Sequence, residues 1–244
     1  MENYLKLMKL KFIKIKMKNI GRFQFFNISQ DSELWEEIHH PNNKMITASI
    51  VPDILGYGYQ SRKKLYNQMK GIEKKIVTDY TTALMKYGKD NEPKAAEEFR
   101  KLFNVAQAKV GFIFHPEYNW LGCSPDRILK FNDSDYKLLE IKCPAKSKIP
   151  NSVEELPINY IIQCQVQLSC FPTIEGIFLY FWKPDENECF FLFQDEKFQN
   201  FIIDECKQFI ESLEKENVNN IVTLKKKEYV KSIIDYSKII KLLK

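Results

Sequence analysis

An α/β fold is predicted for this chain by three features. Two stretches, 124–143 and 176–193, each read as a pair of strands joined across a polar tetrad, Asn132-Asp-Ser-Asp135 in the first and Pro184-Asp-Glu-Asn187 in the second. Between them Ile158, Ile162, Val166 and Cys170 recur every four residues, the spacing of a helix. After the second pair Asp195 is placed to cap an amphipathic helix to about Lys215, with Phe198, Phe201, Ile202, Cys206, Phe209, Ile210 and Leu213 on its apolar side.

The other elements follow from the same signals. Residues 1–30 carry Lys6, Lys9, Lys11, Lys14, Lys16, Lys18 and Arg22 against the single acid Glu2, and Ile13, Ile15 and Met17 alternate with lysines as in a strand. An organelle presequence would favour Arg and Ser, and this stretch has only Arg22 and Ser29. Asp31 and Ser32 are placed to cap a helix through Leu34, Trp35 and Ile38 that Pro41 stops. A short helix is expected within 45–56, capped by Thr47 or Ser49, with Pro52 in its first turn and Gly56 closing it. Ser61 is placed to cap another through Met69 that shows Arg62, Lys63 and Lys64. Residues 78–103 read as helix interrupted around Gly88 and restarted by Asn91, with Pro93 early in the second half and Glu92 answering the helix dipole. An apolar strand holding Val110, Phe112 and Phe114 comes next. At the far end, a polar loop at 217–220 leads to an amphipathic C-terminal helix bearing Ile233, Ile234, Ile239, Ile240 and Leu243, expected to pack on its own domain. Residues 1–244 thus read as one domain with a basic N-terminal extension and a helical C-terminal extension.

Composition sets the bounds. A chain of 244 residues, 44% hydrophobic and 28% charged, supports one sizeable core. A net charge of +5 permits a polyanionic partner without demanding one. The six cysteines form no C-x-x-C pair and no zinc or iron–sulfur ligand set, so reduced thiols in an intracellular protein (cytoplasm, nucleus or host cell) are expected. No apolar run approaches the ~18 residues of a membrane span.

The chemistry gathers in Leu121-Gly-Cys-Ser-Pro-Asp-Arg127 and Leu139-Glu-Ile-Lys-Cys-Pro144. Alternation along a strand sends Glu140 and Lys142 to one face and Ile141 to the other. Asp126 precedes Glu140 by fourteen residues, an even separation that an antiparallel register can convert into opposition on one face. A four-residue loop closing Phe131 on Tyr136 would pair Asp126 with Ile141 instead, so an odd loop or a bulge is predicted in this hairpin. Two carboxylates and an amine on a sheet surface are what a magnesium-dependent phosphodiester hydrolase needs. Downstream, Gln163 and Gln167 share a helix face, and three glutamines in five positions beside an apolar stripe are uncommon.

Asp126 followed by Glu140-x-Lys142 resembles the signature of the PD-(D/E)XK nuclease superfamily. The surrounding Leu121-Gly-Cys-Ser-Pro-Asp126, Leu139-Glu-Ile-Lys-Cys-Pro144 and Tyr160-Ile-Ile-Gln-Cys-Gln-Val-Gln167, in that order, resemble its lambda-exonuclease branch, the YqaJ-like viral recombinases. Ile46-Thr-Ala-Ser49 and the segment from Gly88 to Ala95 also fit, so the resemblance covers about residues 45–183. It implies a restriction-endonuclease-like core, a central mixed β-sheet flanked by helices. It implies that Asp126, Glu140 and the backbone carbonyl of Ile141 hold Mg²⁺, with Mn²⁺ as a substitute, and that Lys142 positions or activates the attacking water. Glu92 and Gln163 would contact water at the metal and the nucleophile. Ser49 and Ser124 match the serines of a pocket for a terminal 5′-phosphate. The arginine of that pocket falls at Asn42, so either Lys44 or Arg22 substitutes or the 5′-phosphate preference is weakened. Arg127 replaces a glycine common after Ser-Pro-Asp and is a candidate phosphate contact. The activity implied is exonucleolytic hydrolysis of double-stranded DNA from its ends, 5′ to 3′, with 5′-phosphorylated products, in recombination, repair or replication. A single-strand annealing protein would be the partner, and a trimeric ring is allowed. The rivals are a structure-specific or restriction-like endonuclease and a non-catalytic DNA-binding protein that keeps the fold.

Overall fold

The computed structural model describes residues 17–20, 23–26, 28, 32–39, 44–215 and 224–243. Strands β1 (Met17–Ile20) and β2 (Phe23–Phe26) form an antiparallel pair. The strand expected at Ile13 and Ile15, the helix stop at Pro41 and the loop at 217–220 lie outside the described residues. Helix α1 (Glu33–His39) begins where Ser32 Oγ accepts the Trp35 N–H at 3.2 Å. Next come β3 (Ile46–Thr47), α2 (Val51–Ile54) and α3 (Arg62–Met69). Neither Thr47 nor Ser49 caps α2. Ile50 holds that position without a side-chain bond, because residues 46–47 are drawn into a parallel pairing with Leu121 and Gly122. Gly56 closes the turn at φ 78°, a conformation that only glycine adopts freely. Ser61 does cap α3, but Arg62 points inward: its guanidinium donates to Glu205 at 3.1 Å and is buried.

Helix α4 (Asp79–Phe103) runs unbroken through Gly88 and Pro93. Thr78 is its cap, and Asn91, expected to start a second helix, donates its amide to the Tyr87 carbonyl at 2.9 Å within the first. An internal proline costs about 3 kcal/mol. Burial of Ala95, Ala96 and Phe99 against the sheet, about 1.5–3 kcal/mol for a large apolar side chain, offsets it. Glu92 therefore projects from the middle of a long helix rather than from a helix start.

The single strand expected over 105–117 is two, β4 (Ala106–Lys109) and β5 (Ile113–Phe114), which join different sheets. Strand β6 (Leu121–Cys123) lies between β3 and β5 in a small three-stranded sheet. Gly122 is required there, since a Cβ would stand 2.4 Å from the Phe112 ring and 2.6 Å from the Ile113 carbonyl oxygen. The main sheet takes β7 (Arg127–Lys130), β8 (Tyr136–Lys142), β9 (Gly176–Lys183) and β10 (Glu186–Phe193). Helix α5 (Ile158–Ser169) crosses from β8 to the parallel β9, and α6 (Glu196–Lys215) follows β10, its first turn capped by Asp195. The C-terminal segment is not one helix. Helix α7 (Leu224–Ile233) ends before a 3₁₀ turn, and Ile239–Lys241 form β11, which pairs with β10.

The six-stranded order is β11-β10-β9-β8-β7-β4, with only β8 and β9 parallel, so the sheet is mixed. One face packs on α5 and α6 through Leu138, Ile177, Leu179, Phe190 and Leu192. The other packs on α4 through Leu129, Leu139, Ile141, Phe178 and Tyr180. Strand β9 is buried on both faces, which explains its unbroken apolar run. Among the described residues no helix is long and apolar enough to cross a membrane, and all six cysteines are free.

Candidate active site

The hairpin of β7 and β8 sets the geometry. Arg127 pairs with Leu139 and Lys130 with Tyr136, and the Phe131 N–H reaches the Asp135 carbonyl at 3.0 Å. That leaves the three residues 132–134 as the loop, the odd number predicted. Asn132 Oδ1 holds it by accepting from the backbone N–H groups of Ser134 and Asp135. Carried one step past Arg127, the register puts Asp126 opposite Glu140. Asp126 is held there by the Ile141 N–H, which donates to its Oδ2 at 2.6 Å.

Glu140 faces α5, as Leu138 does, and is buried. Its Oε1 accepts from Lys142 Nζ at 2.6 Å and from Gln163 Nε2 at 2.7 Å, and its Oε2 from Gln167 Nε2 at 2.7 Å. Lys142 Nζ also donates to Gln163 Oε1 at 3.0 Å and lies 4.7 Å from the centre of the Tyr160 ring. Tyr160, Gln163 and Gln167 project from one side of α5 because they are three and four residues apart. From the opposite layer, Glu92 on α4 accepts from Arg127 at 2.7 Å. Glu92, Lys142, Tyr160, Gly88, Ile141, Cys143 and Pro144 line a cleft of about 230 Å³ at the end of β8.

Asp126, Glu140, Lys142, Gln163 and Glu92 are thus brought together. Arg127 is also present but turned inward: it is 5% exposed and donates to Glu92 and to the Asp126 carbonyl. That placement does not fit the phosphate contact expected of it; it braces the two acids instead. Ser49 and Ser124 each lie just beyond the parallel β3/β6 pairing, which sets Ile46 beside Leu121 and Thr47 beside Gly122. Ser49 Oγ lies 3.0 Å from Thr47 Oγ1, whereas Ser124 Oγ is buried and finds no partner among the described residues. Lys44 is exposed with φ 50°, and Arg22 and Asn42 lie outside the described residues. Sequence reasoning missed Gln167 and Tyr160 as site residues. The cluster of glutamines on an apolar helix was the available signal for the first, and the spacing of three from Gln163 for the second.

The electrostatics bear on a metal. Burial pushes the Asp126 carboxyl well above its usual range, and the charges of Glu140 and Glu92 add to this, with Lys142 and the Ile141 N–H only partly offsetting them. Burial alone would lower the Lys142 ammonium, but Glu140, Tyr160 and Asp126 overcome it and the lysine is raised. Burial also pushes the Tyr160 phenol up to about 12. Among the described residues no three His, Cys, Asp or Glu side chains are gathered as a formed metal cage. Two carboxylates and a carbonyl nevertheless fit magnesium, which takes one or two carboxylates and keeps several waters. The excess of carboxylate charge at Asp126 suits a cation.

A mixed sheet flanked by helices, with an acid, a second acid and a lysine converging on the end of its central hairpin, is the PD-(D/E)XK nuclease fold. The chain matches the YqaJ-like viral recombinase domain over residues 34–173, more than half its length, and belongs to that family. Its structure is similar to the crystal structure of an alkaline exonuclease, LHK-Exo, from Laribacter hongkongensis, with a TM-score of 0.56 and 24% identity over 81% of this chain and 96% of that one. It is similar also to LHK-Exo in complex with dAMP, with a TM-score of 0.58 and 24% identity over the same shares. No curated protein sequence is similar to the chain.

Proposed function

We infer that the protein is a magnesium-dependent exonuclease that hydrolyses double-stranded DNA from its ends, 5′ to 3′, releasing 5′-phosphorylated products in recombination, repair or replication. The observation that carries the reading is the Glu140 carboxylate clasped by Lys142, Gln163 and Gln167 opposite Asp126. Asp126, Glu140 and the Ile141 carbonyl would hold Mg²⁺, with Mn²⁺ as substitute, and the ion supplies Lewis acidity and charge neutralisation at the scissile phosphate.

The chain's own residues do the positioning. Lys142 Nζ, fixed between Glu140 and Gln163, offers its remaining N–H to the attacking water or to a phosphate oxygen. Gln163 ties the lysine to the carboxylate, so the two move as one unit. Glu92, held by Arg127 at the cleft wall, accepts a proton of the incoming water. Water oxygen bonds to phosphorus, the bond to the 3′ oxygen breaks and that oxygen takes up a proton from bulk water, and the products are a 3′-hydroxyl and a 5′-phosphate. Ser124, whose buried hydroxyl has no partner among the described residues, and Ser49 would receive a terminal 5′-phosphate, with Lys44 as the proposed cation. A single-strand annealing protein is the proposed partner and a trimer the proposed assembly, which light scattering would test.

The test is cleavage of end-labelled duplex in Mg²⁺, with covalently closed circular DNA as the control that an endonuclease would cut. Lys142→Ala and Glu140→Gln are expected to lower the rate at least 100-fold, as loss of a group acting on the reacting atoms does. A wild-type rate in either would sink the assignment. Comparing 5′-phosphorylated with 5′-hydroxyl ends tests the serine pocket; equal rates would remove it.

A further inference from the structure

Tyr59 is the most exposed large apolar or aromatic side chain among the described residues, 87% accessible, yet it stands on a loop that is firmly held. The N–H groups of Tyr57 and Gly58 both donate to the Pro52 carbonyl, at 2.8 and 2.9 Å, and buried Asp53 Oδ1 accepts the Gln60 N–H at 3.2 Å. Gly58 makes this closure possible, since a Cβ there would fall 1.8 Å from Asp53 Oδ1. The ring is therefore presented to solvent by a fixed backbone. Its hydroxyl lies 3.2 Å from the hydroxyl of Tyr160, which lines the cleft and carries Lys142 over its ring. On α4, which supplies another wall of that cleft, Tyr80 is also exposed and holds Lys146 Nζ 4.7 Å from its ring centre. Exposed aromatic rings interleaved with lysines beside a phosphodiester-cleaving site match the chemistry of an unpaired nucleotide strand.

We propose that Tyr59, set beside Tyr160, is a stacking platform for the nucleobase next to the phosphate that Lys142 faces. The proposal rests on the nuclease reading above and adds to it how an end is told from an interior position. Within a duplex both faces of every base are covered by neighbours. A protruding ring can stack only on a base at an end or on one already unpaired. Tyr59 thus rewards ends and frayed strands, and gives nothing to an intact interior.

The experiment places 2-aminopurine, whose fluorescence is quenched by stacking, either at the end or in the middle of a duplex. Binding is followed with calcium in place of magnesium to hold cleavage back. Wild type and Tyr59→Phe, which keeps the ring, are expected to quench the terminal probe alike. Tyr59→Leu is expected to lose that quenching and to bind the end about 5- to 150-fold more weakly, the equivalent of one base stacked on an aromatic ring. The interior probe should respond to none of the variants. Because Tyr59 is exposed, its variants should fold, which circular dichroism checks. Terminal quenching by Tyr59→Leu equal to wild type overturns the platform. So does a change of oligomeric state in Tyr59→Leu with DNA affinity unchanged, which would mark a contact between copies. A parallel cleavage assay separates the two layers: if wild type neither binds nor cuts DNA, the nuclease reading falls and this falls with it. If wild type cuts and only the quenching result fails, the nuclease reading stands.

Discussion

Replacing Gln167 by leucine isolates what the third donor to Glu140 contributes. The bond from Gln167 Nε2 to Glu140 Oε2, 2.7 Å long and buried, is charge-assisted. Such a bond contributes about 1.5–3 kcal/mol. The same amide carries Oε1, which is buried without a partner among the described residues. An orphaned acceptor of that kind costs about 1–3 kcal/mol. Leucine removes both and fills a similar volume, but it leaves the charged Glu140 Oε2 buried without that donor, so folding stability should fall by about 1–3 kcal/mol. Glu140 Oε2 loses the one side chain that holds it, and the carboxylate can turn about its remaining contacts with Lys142 and Gln163. Loss of a partner that orients a metal-binding carboxylate costs about 10- to 100-fold in affinity or rate. The expected result is a modestly lowered urea midpoint, weaker Mn²⁺ binding by electron paramagnetic resonance, and kcat/KM on end-labelled duplex lowered about 10- to 100-fold. Activity within about twofold of wild type in a folded variant would reduce Gln167 to packing. An unchanged urea midpoint would show that Glu140 Oε2 does not depend on this donor.

Three further perturbations test the fold around the site. His115 Nδ1 accepts from the N–H groups of Glu117 and Tyr118, at 3.1 and 3.3 Å, so the ring must be neutral there, and burial lowers its pKa from 6.5, with Glu117 opposing. A depressed histidine contributes stability that is present above the unfolded value and is lost as pH falls through it. Stability measured by urea at about pH 7.5 should exceed that at about pH 5.5 by more in wild type than in His115→Asn, and an equal difference would contradict the assignment. Arg62→Met leaves Glu205 buried with Lys226 as its remaining cation. It should cost about 2–4 kcal/mol in denaturant unfolding, and Arg62→Met with Glu205→Met should recover part of it; no recovery would mean that the arginine acts by packing. Gly122→Ala forces a Cβ into the Phe112 ring and the Ile113 carbonyl. It should lower stability by about 1–3 kcal/mol in thermal unfolding, and an unchanged midpoint would show that β5 and β6 can part freely.

Much of this was legible in the sequence, where one local pattern decided the outcome. Strand alternation fixed Glu140 and Lys142 on one face, and even spacing demanded the odd loop that the register shows. Helix α5, the β9–β10 hairpin and the Asp195 cap likewise follow from short-range periodicity and capping. What was not legible depended on tertiary context. The cost of Pro93 in α4 is met by Phe99 packing on a sheet whose strands lie far along the chain. Ile239 and Ile240 suit a helix as well as a strand, and only the free edge of β10 decides between them. Arg127 looks like a surface cation until Glu92, thirty-five residues away, is found beside it. The resemblance supplied Glu92 and Gln163. Gln167 was visible only as an oddity of composition, since nothing local tells a helix which residue will lie across from it.

The loop at 132–134 has a consequence for which sequence changes the protein can accept. Its residues are exposed, and apart from the Asn132 turn their identity matters little to the core. What matters is the register that they close. A loop lengthened at its tip leaves Asp126 opposite Glu140, whereas a slip of the two strands by one residue would send the carboxylates to opposite faces of the sheet. Changes at this tip should therefore be tolerated so long as Phe131 still closes on Asp135, and a stretch that looks free to drift is constrained only in the pairing it hands to the strands.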